Sequence, residues 1–98
     1  MMKFQISSKA QSDLIDIWEY TFKNWSPEQA DRYYQIIIDK IKEICEKPDI
    51  GKSYKKVLRG YWGAAVKSHI IFYKELGNNS IEIVRILHQR MDYQDWLN

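Results

Sequence analysis

SHIIFYKELGNNSIEIVRILHQRMD, residues 68–92, governs the architecture of this chain. Branched and aromatic residues run from His69 to Leu76 and again from Ile81 to His88, which is strand composition. Between them Gly77-Asn78-Asn79-Ser80 reads as a tight hairpin turn, because Asn tolerates the positive φ such turns need. Loops of two or four residues give the same register. Leu76 then faces Ile81, Phe72 faces Arg85, and His69 faces His88. One face of this hairpin carries Ile70, Phe72, Lys74, Leu76, Ile81, Ile83, Arg85 and Leu87. The other carries His69, Ile71, Tyr73, Glu75, Glu82, Val84, Ile86 and His88. The first face is the more apolar and is expected to pack on helices. The second is half polar and is expected to be open or covered by a partner.

On that expectation Arg85 lies in the core, where a charge must be paired. The acids available upstream are Asp13, Asp16 and Glu19. His69 and His88 become neighbours on the open face. Two histidines do not make a zinc site, which takes three or four protein ligands. Arg90, past the strand, is the cation of this stretch freest to meet a partner.

Upstream the period changes. Lys3–Ser7 is a short strand with Phe4 and Ile6 on one face. Ser8-Lys9-Ala10-Gln11 fits a capping box. Ala10, Leu14, Ile17, Trp18, Thr21, Phe22 and Trp25 recur at helical spacing, so a first helix runs from about Lys9 to Lys23. Ser26-Pro27-Glu28-Gln29 opens a second helix, with Pro27 at the first helical position. Its stripe is Ala30, Tyr33, Tyr34, Ile37, Ile41, Ile44 and Cys45, and Pro48 ends it near Lys47. Both stripes read as core, and the short link makes the helices an antiparallel hairpin. After the Pro48–Gly51 turn, Val57–Arg59 and Tyr61–Lys67 read as further strands, and Asp92–Asn98 as one helical turn.

The expected fold is thus α+β: an N-terminal strand, a helical hairpin, then a small, mainly antiparallel sheet. At 98 residues the chain is expected to form a single domain over 1–98, with a modest core. No apolar run approaches the ~18 residues of a membrane span, and the start lacks a signal-peptide centre. The single cysteine, Cys45, excludes an internal disulfide and a Cys-based zinc site. These features point to an intracellular protein with no cofactor and no metal.

Charge is segregated. Residues 1–50 hold seven basic and nine acidic side chains, and residues 75–98 two basic and four acidic. Residues 51–74 carry Lys52, Lys55, Lys56, Arg59, Lys67 and Lys74 and no acid. A one-sign segment suits an acidic partner, nucleic acid or polypeptide. Tyr54, Tyr61, Trp62 and Tyr73 are interleaved with it. A solvated lysine-rich loop is the simpler alternative.

The order of elements resembles the RelE/ParE superfamily of bacterial toxins. So do WSPEQADRYY (Trp25–Tyr34), KPDIGKS (Lys47–Ser53), LRGY (Leu58–Tyr61), SHIIFY (Ser68–Tyr73) and IEIVRILHQRMD (Ile81–Asp92). The resemblance covers almost the whole chain and is closest to the ParE branch. It implies a cytoplasmic toxin of a type II toxin–antitoxin system, silenced by an antitoxin with an acidic, partly disordered arm. The ParE branch is associated with inhibition of DNA gyrase; the RelE branch cuts messenger RNA on the ribosome. Inhibition by binding needs no chemistry, only a surface. The surface residues expected to meet the antitoxin or target are Arg59, Tyr61, Trp62, Lys67, His69, Tyr73, Arg90 and Trp96. RNA cleavage needs a general base, a general acid and cations on the phosphate. Its candidates are His88, Arg90 and Lys67, beside Arg59, His69 and Tyr93. These do not complete a RelE-type basic set, and no acid lies between Gly51 and Lys74 to act as base. A third reading is a chain that binds its antitoxin without being toxic.

Overall fold

The computed structural model describes residues 2–55 and 59–97. Strand β1 (Lys3–Ile6) leads into helix α1 (Ser8–Asn24) and helix α2 (Pro27–Glu46). A 3-10 turn at Pro48–Ile50 follows. Then come β2 (Lys52–Ser53), β3 (Trp62–Val66), β4 (His69–Gly77), β5 (Ser80–His88) and a short helix α3 (Tyr93–Leu97). Of the predicted strand at Val57–Arg59, Val57 and Leu58 lie outside the described residues and Arg59 stands in a turn; the strand of this region is instead β2 at Lys52–Ser53. This is the expected α+β architecture. None of its helices, among the described residues, is long and apolar enough to cross a membrane.

The five strands are ordered β1-β5-β4-β3-β2. β1 runs parallel to β5 and every other pair is antiparallel. The β4–β5 turn is the expected Asn pair: Asn78 and Asn79 have φ of 52° and 58°, and Gly77 pairs with Ser80.

The helix starts follow from capping. Ser26 accepts the Gln29 N–H at 3.1 Å, with Pro27 at the first position. At α1 the cap is Ser7, not Ser8. The Ser7 N–H donates to the Ile83 carbonyl at 3.0 Å, and its hydroxyl donates to the Val84 carbonyl at 2.7 Å. β5 thereby pins Ser7 at the strand–helix junction, where its oxygen also accepts the Ala10 N–H at 3.0 Å. Gln11 donates to the Ile6 carbonyl instead of closing a capping box.

Most of the helical stripe is core as expected: Ala10 and Leu14 on α1, and Ile37, Ile41, Ile44 and Cys45 on α2, are buried. Burying each isoleucine contributes about 1.5–3 kcal/mol. The last turns of α1 depart from the pattern. Trp25, at the C-cap, is 75% exposed, and Phe22, also exposed, stacks on Trp18 at 5.1 Å between ring centroids.

The register holds where the hairpin meets β3: His69 pairs with His88 and Phe72 with Arg85. It then slips. Tyr73 pairs with Ile83, leaving Val84 as an extra residue, and Glu75 pairs with Ile81, leaving Leu76 out. Leu76 is therefore not opposite Ile81, and it is exposed.

The bulge overturns the expected assignment of faces. Ile71, Tyr73, Ile81, Ile83 and Ile86 form one core with the helices. Ile83 and Ile86, three apart, share that face only because Val84 is an added residue. Ile70, Phe72 and Leu87 point the other way, into a second cluster closed by Leu97 and flanked by Tyr54, Tyr61 and Tyr93. The chain's own C-terminal helix covers the face on which the helical hairpin was expected.

Candidate functional site

Two depressions flank the sheet. The first is an open groove of about 850 Å³ between the helical hairpin and the Lys67-Ser68 turn that joins β3 to β4. Ile17, Tyr20 and Thr21 of α1 form one wall, with Trp25 at its end. Arg32, Tyr33 and Ile36 of α2 continue it. Lys67, Ser68, His69 and His88 close the sheet side. Most of the lining is aromatic or aliphatic. Arg32 and Lys67 supply positive charge against one acid, Asp16.

A hydrogen-bonded set lies on the sheet side of this groove. The Tyr33 hydroxyl is 2.6 Å from His69 Nδ1 and accepts the Ser68 N–H at 3.3 Å. The His69 and His88 rings meet edge to face with centroids 5.3 Å apart. His88 Nδ1 accepts the Arg90 N–H at 3.2 Å. Burial, reinforced by neighbouring His88 and opposed by Asp13, lowers the His69 pKa to about 4. Burial raises Tyr33, although the Ser68 N–H pulls it down.

The second depression, about 810 Å³, lies by the outer part of β3. Lys40, Lys52, Tyr54, Ile70, Arg90 and Tyr93 are among its lining. Tyr93 packs edge-on against Phe72, with centroids 5.1 Å apart, and the Lys52 ammonium lies 5.4 Å from the Tyr54 ring.

Sequence-predicted surface residues are therefore dispersed. Lys67, His69 and His88 meet in the first groove. Arg90 lines the second, so the candidate catalytic set of His88, Arg90 and Lys67 is not assembled in one place. Tyr73 is not on the surface. It is 1% exposed, and its hydroxyl donates to the Pro48 carbonyl and accepts the Gly51 N–H. It shares with Ile71 the face of β4 that packs on the helices. Trp62 packs against the helix-side core and Tyr61 against the outer cluster. The Lys74 ammonium lies 5.8 Å from the Tyr61 ring and 3.7 Å from Glu82. Arg59 is exposed. Trp96 is 44% exposed, with the Arg85 guanidinium 5.5 Å from its ring. The basic segment is thus divided among several surfaces. Among the described residues no group of three or more His, Cys, Asp or Glu side chains could hold a metal ion.

The groove's Tyr20, Arg32 and Tyr33 were not legible as site residues. Tyr33 sits on the α2 stripe that otherwise reads as core. Trp25 also stands on the α1 stripe that reads as core, and a large aromatic beside a helix cap is the signal that could have marked it as surface.

Comparison with known proteins agrees with the order of elements. Residues 4–93 match the family described as ParE toxin of type II toxin–antitoxin system, parDE. Toxin ParE1 of Caulobacter vibrioides is 36% identical over 92 residues, covering 94% of each chain. Toxin ParE1 of Mycobacterium tuberculosis H37Rv is 34% identical over 90 residues, covering 92% of each. A solved chain titled as a chromosomal ParDE system from P. aeruginosa superposes with a TM-score of 0.78 at 22% identity. That match covers 90% of this chain and 96% of the other, and it bears on the fold. The chain belongs to the ParE toxin family and is the toxin component of a ParDE type II toxin–antitoxin system.

Proposed function

We propose that this chain arrests growth in the cytoplasm by binding DNA gyrase, and that the groove between the helical hairpin and the Lys67-Ser68 turn receives the arm of its cognate antitoxin. The observation that carries the antitoxin half is the groove's lining. Tyr20, Trp25 and Tyr33 offer apolar contact, while Arg32 and Lys67 favour an acidic segment. A disordered arm loses conformational entropy when it binds, so it needs such a combined footprint.

The gyrase half rests on membership of the ParE family, which is a warrant by analogy. Arg90 touches His88 through its backbone N–H but lines the other depression from Lys67 and His88, which favours action through binding over RNA cleavage. The test is expression in bacteria with and without the antitoxin, followed by two assays on the purified toxin. Inhibition of gyrase supercoiling, relieved by antitoxin, is expected. Cleavage of ribosome-bound messenger RNA with gyrase unaffected would replace this reading with a ribonuclease. Absence of growth arrest would leave a chain that only binds antitoxin.

A further inference from the structure

We infer that His69 and His88 form a carboxylate subsite in the first groove, with two imidazole N–H donors taking one Asp or Glu side chain of the segment that occupies it. The inference rests on the groove being the antitoxin's seat.

The hydrogen bonds around the two rings define their tautomers. A tyrosine hydroxyl has one proton. The Tyr33 oxygen already accepts the Ser68 N–H at 3.3 Å, so its own proton is available to His69 Nδ1 at 2.6 Å. His69 Nδ1 is then an acceptor, and the proton of the neutral ring sits on Nε2. His88 Nδ1 accepts the backbone N–H of Arg90 at 3.2 Å, so its ring proton is also on Nε2. Two rings from paired strand positions therefore each hold an N–H donor at Nε2. Neither Nε2 has a hydrogen-bond acceptor among the described residues, and both rings line the groove.

The electrostatics select an anion. Around the pair stand Tyr33 from α2, Asp13 and Asp16 from α1, Arg32 from α2 and Lys67 from the β3–β4 turn. Burial keeps His69 neutral, with its pKa near 4. At pH 7 His69 therefore offers its hydrogen bond without charge of its own, and Lys67 and Arg32 provide the attraction. A carboxylate accepting two N–H bonds satisfies both rings. Binding there would favour the protonated form of His69, so its titration midpoint should rise in the complex.

The experiment uses toxin labelled with 15N-histidine and its cognate antitoxin. Long-range 1H–15N spectra of the free toxin at pH 7 should show the His69 ring neutral, with a proton on Nε2 of each ring. Addition of antitoxin should shift both Nε2–H resonances downfield and raise the titration midpoint of His69. Affinities are then measured for antitoxins in which each arm Asp or Glu is changed to Asn or Gln, against wild-type toxin, His69→Phe, His88→Phe and the donor-retaining His69→Gln. One acidic position should lose about tenfold or more in affinity with wild-type toxin and little with the Phe variants. If no acidic position couples to either histidine and the resonances do not move, while Trp25→Ala and Lys67→Ala still weaken binding, the subsite is overturned and the groove reading survives. If Trp25→Ala and Lys67→Ala also leave affinity unchanged, the groove reading fails and the subsite falls with it.

Discussion

Asp13 and Arg85 meet across the edge of the sheet through two parallel hydrogen bonds, Arg85 Nε to Oδ2 at 2.9 Å and Nη2 to Oδ1 at 2.8 Å. β1 ends at Ile6, so β5 loses its neighbour beyond Ile83. The Asp13 carboxylate takes over there, with Oδ2 also accepting the Ile86 N–H at 2.9 Å. Arg85 starts from the outer face and completes its set by donating to the Trp96 carbonyl at 3.1 Å. Its pKa is raised, chiefly by the hydrogen bond to Asp13. One ion pair thereby ties α1, the strand edge and α3 together.

Removing either partner should destabilise the protein. Both side chains are only 11% exposed, and breaking a buried pair from one side costs about 3–5 kcal/mol. Asp13→Ala should cost at least as much as Arg85→Met, because it also orphans the Ile86 N–H. Urea unfolding of both single variants and the double variant would measure the coupling. A melting temperature unchanged by Arg85→Met, accompanied by lost toxicity, would assign Arg85 to the toxic surface instead.

The C-terminal segment from Arg90 to Leu97 should separate stability from toxicity. Leu97 is 6% exposed and closes the outer cluster, so Leu97→Ala should cost about 2–4 kcal/mol. Truncation after Met91, which also removes Tyr93, should unfold the outer face and cannot test function cleanly. Trp96→Ala and Arg90→Ala retain Leu97 and should give folded proteins that bind antitoxin but inhibit gyrase weakly. Full supercoiling inhibition by both would remove this end from the toxic surface.

The groove's cations should show in the salt dependence of the antitoxin complex. Exposed charges are screened over about 10 Å at 0.1 M salt. Lys67→Gln with Arg32→Gln should weaken binding and flatten its salt dependence. Arg59→Gln should have a smaller effect, since Arg59 is absent from the groove lining. Equal effects from all these changes would place the arm along the whole basic segment.

Stability should fall with acid through His69. Its folded pKa, about 4, lies below the ordinary 6.5, so the unfolded chain binds the extra proton between those values. The contribution is complete above about pH 6.5 and is lost as pH falls towards 4. Its size is at most about 3 kcal/mol, since each pH unit between the two values is worth about 1.36 kcal/mol, and partial exposure reduces it. His69→Gln should therefore flatten the stability profile between pH 7 and 4.5 in urea titrations.

Gly51 should not accept a side chain. A Cβ there would press on the Tyr73 hydroxyl and stand 2.9 Å from the Gly63 carbonyl oxygen. Gly51→Ala should cost about 1–3 kcal/mol. A neutral result in thermal melts would mean that the turn after α2 yields more easily than its contacts suggest.

Local signals in the chain were enough for the two long helices, the strands β1, β3, β4 and β5 and their order, the Asn78-Asn79 turn, the pairing of His69 with His88, and the acid-bearing helix that answers Arg85, but not for β2 at Lys52–Ser53. Each is a short-range matter: a cap, a period of 3.6 or 2, a turn that sets register, a charge that demands a partner. Which face of the hairpin meets the helices was settled by packing alone. His69–Tyr73 is apolar at most positions on both faces, so alternation does not choose between them. One added residue, Val84, then reverses the faces along β5. That choice buries Tyr73, hands Ile70 and Phe72 to α3, and leaves His69 and His88 beside Tyr33 of α2. The groove lies between chain segments far apart in sequence, where no periodicity within either helix or strand records it.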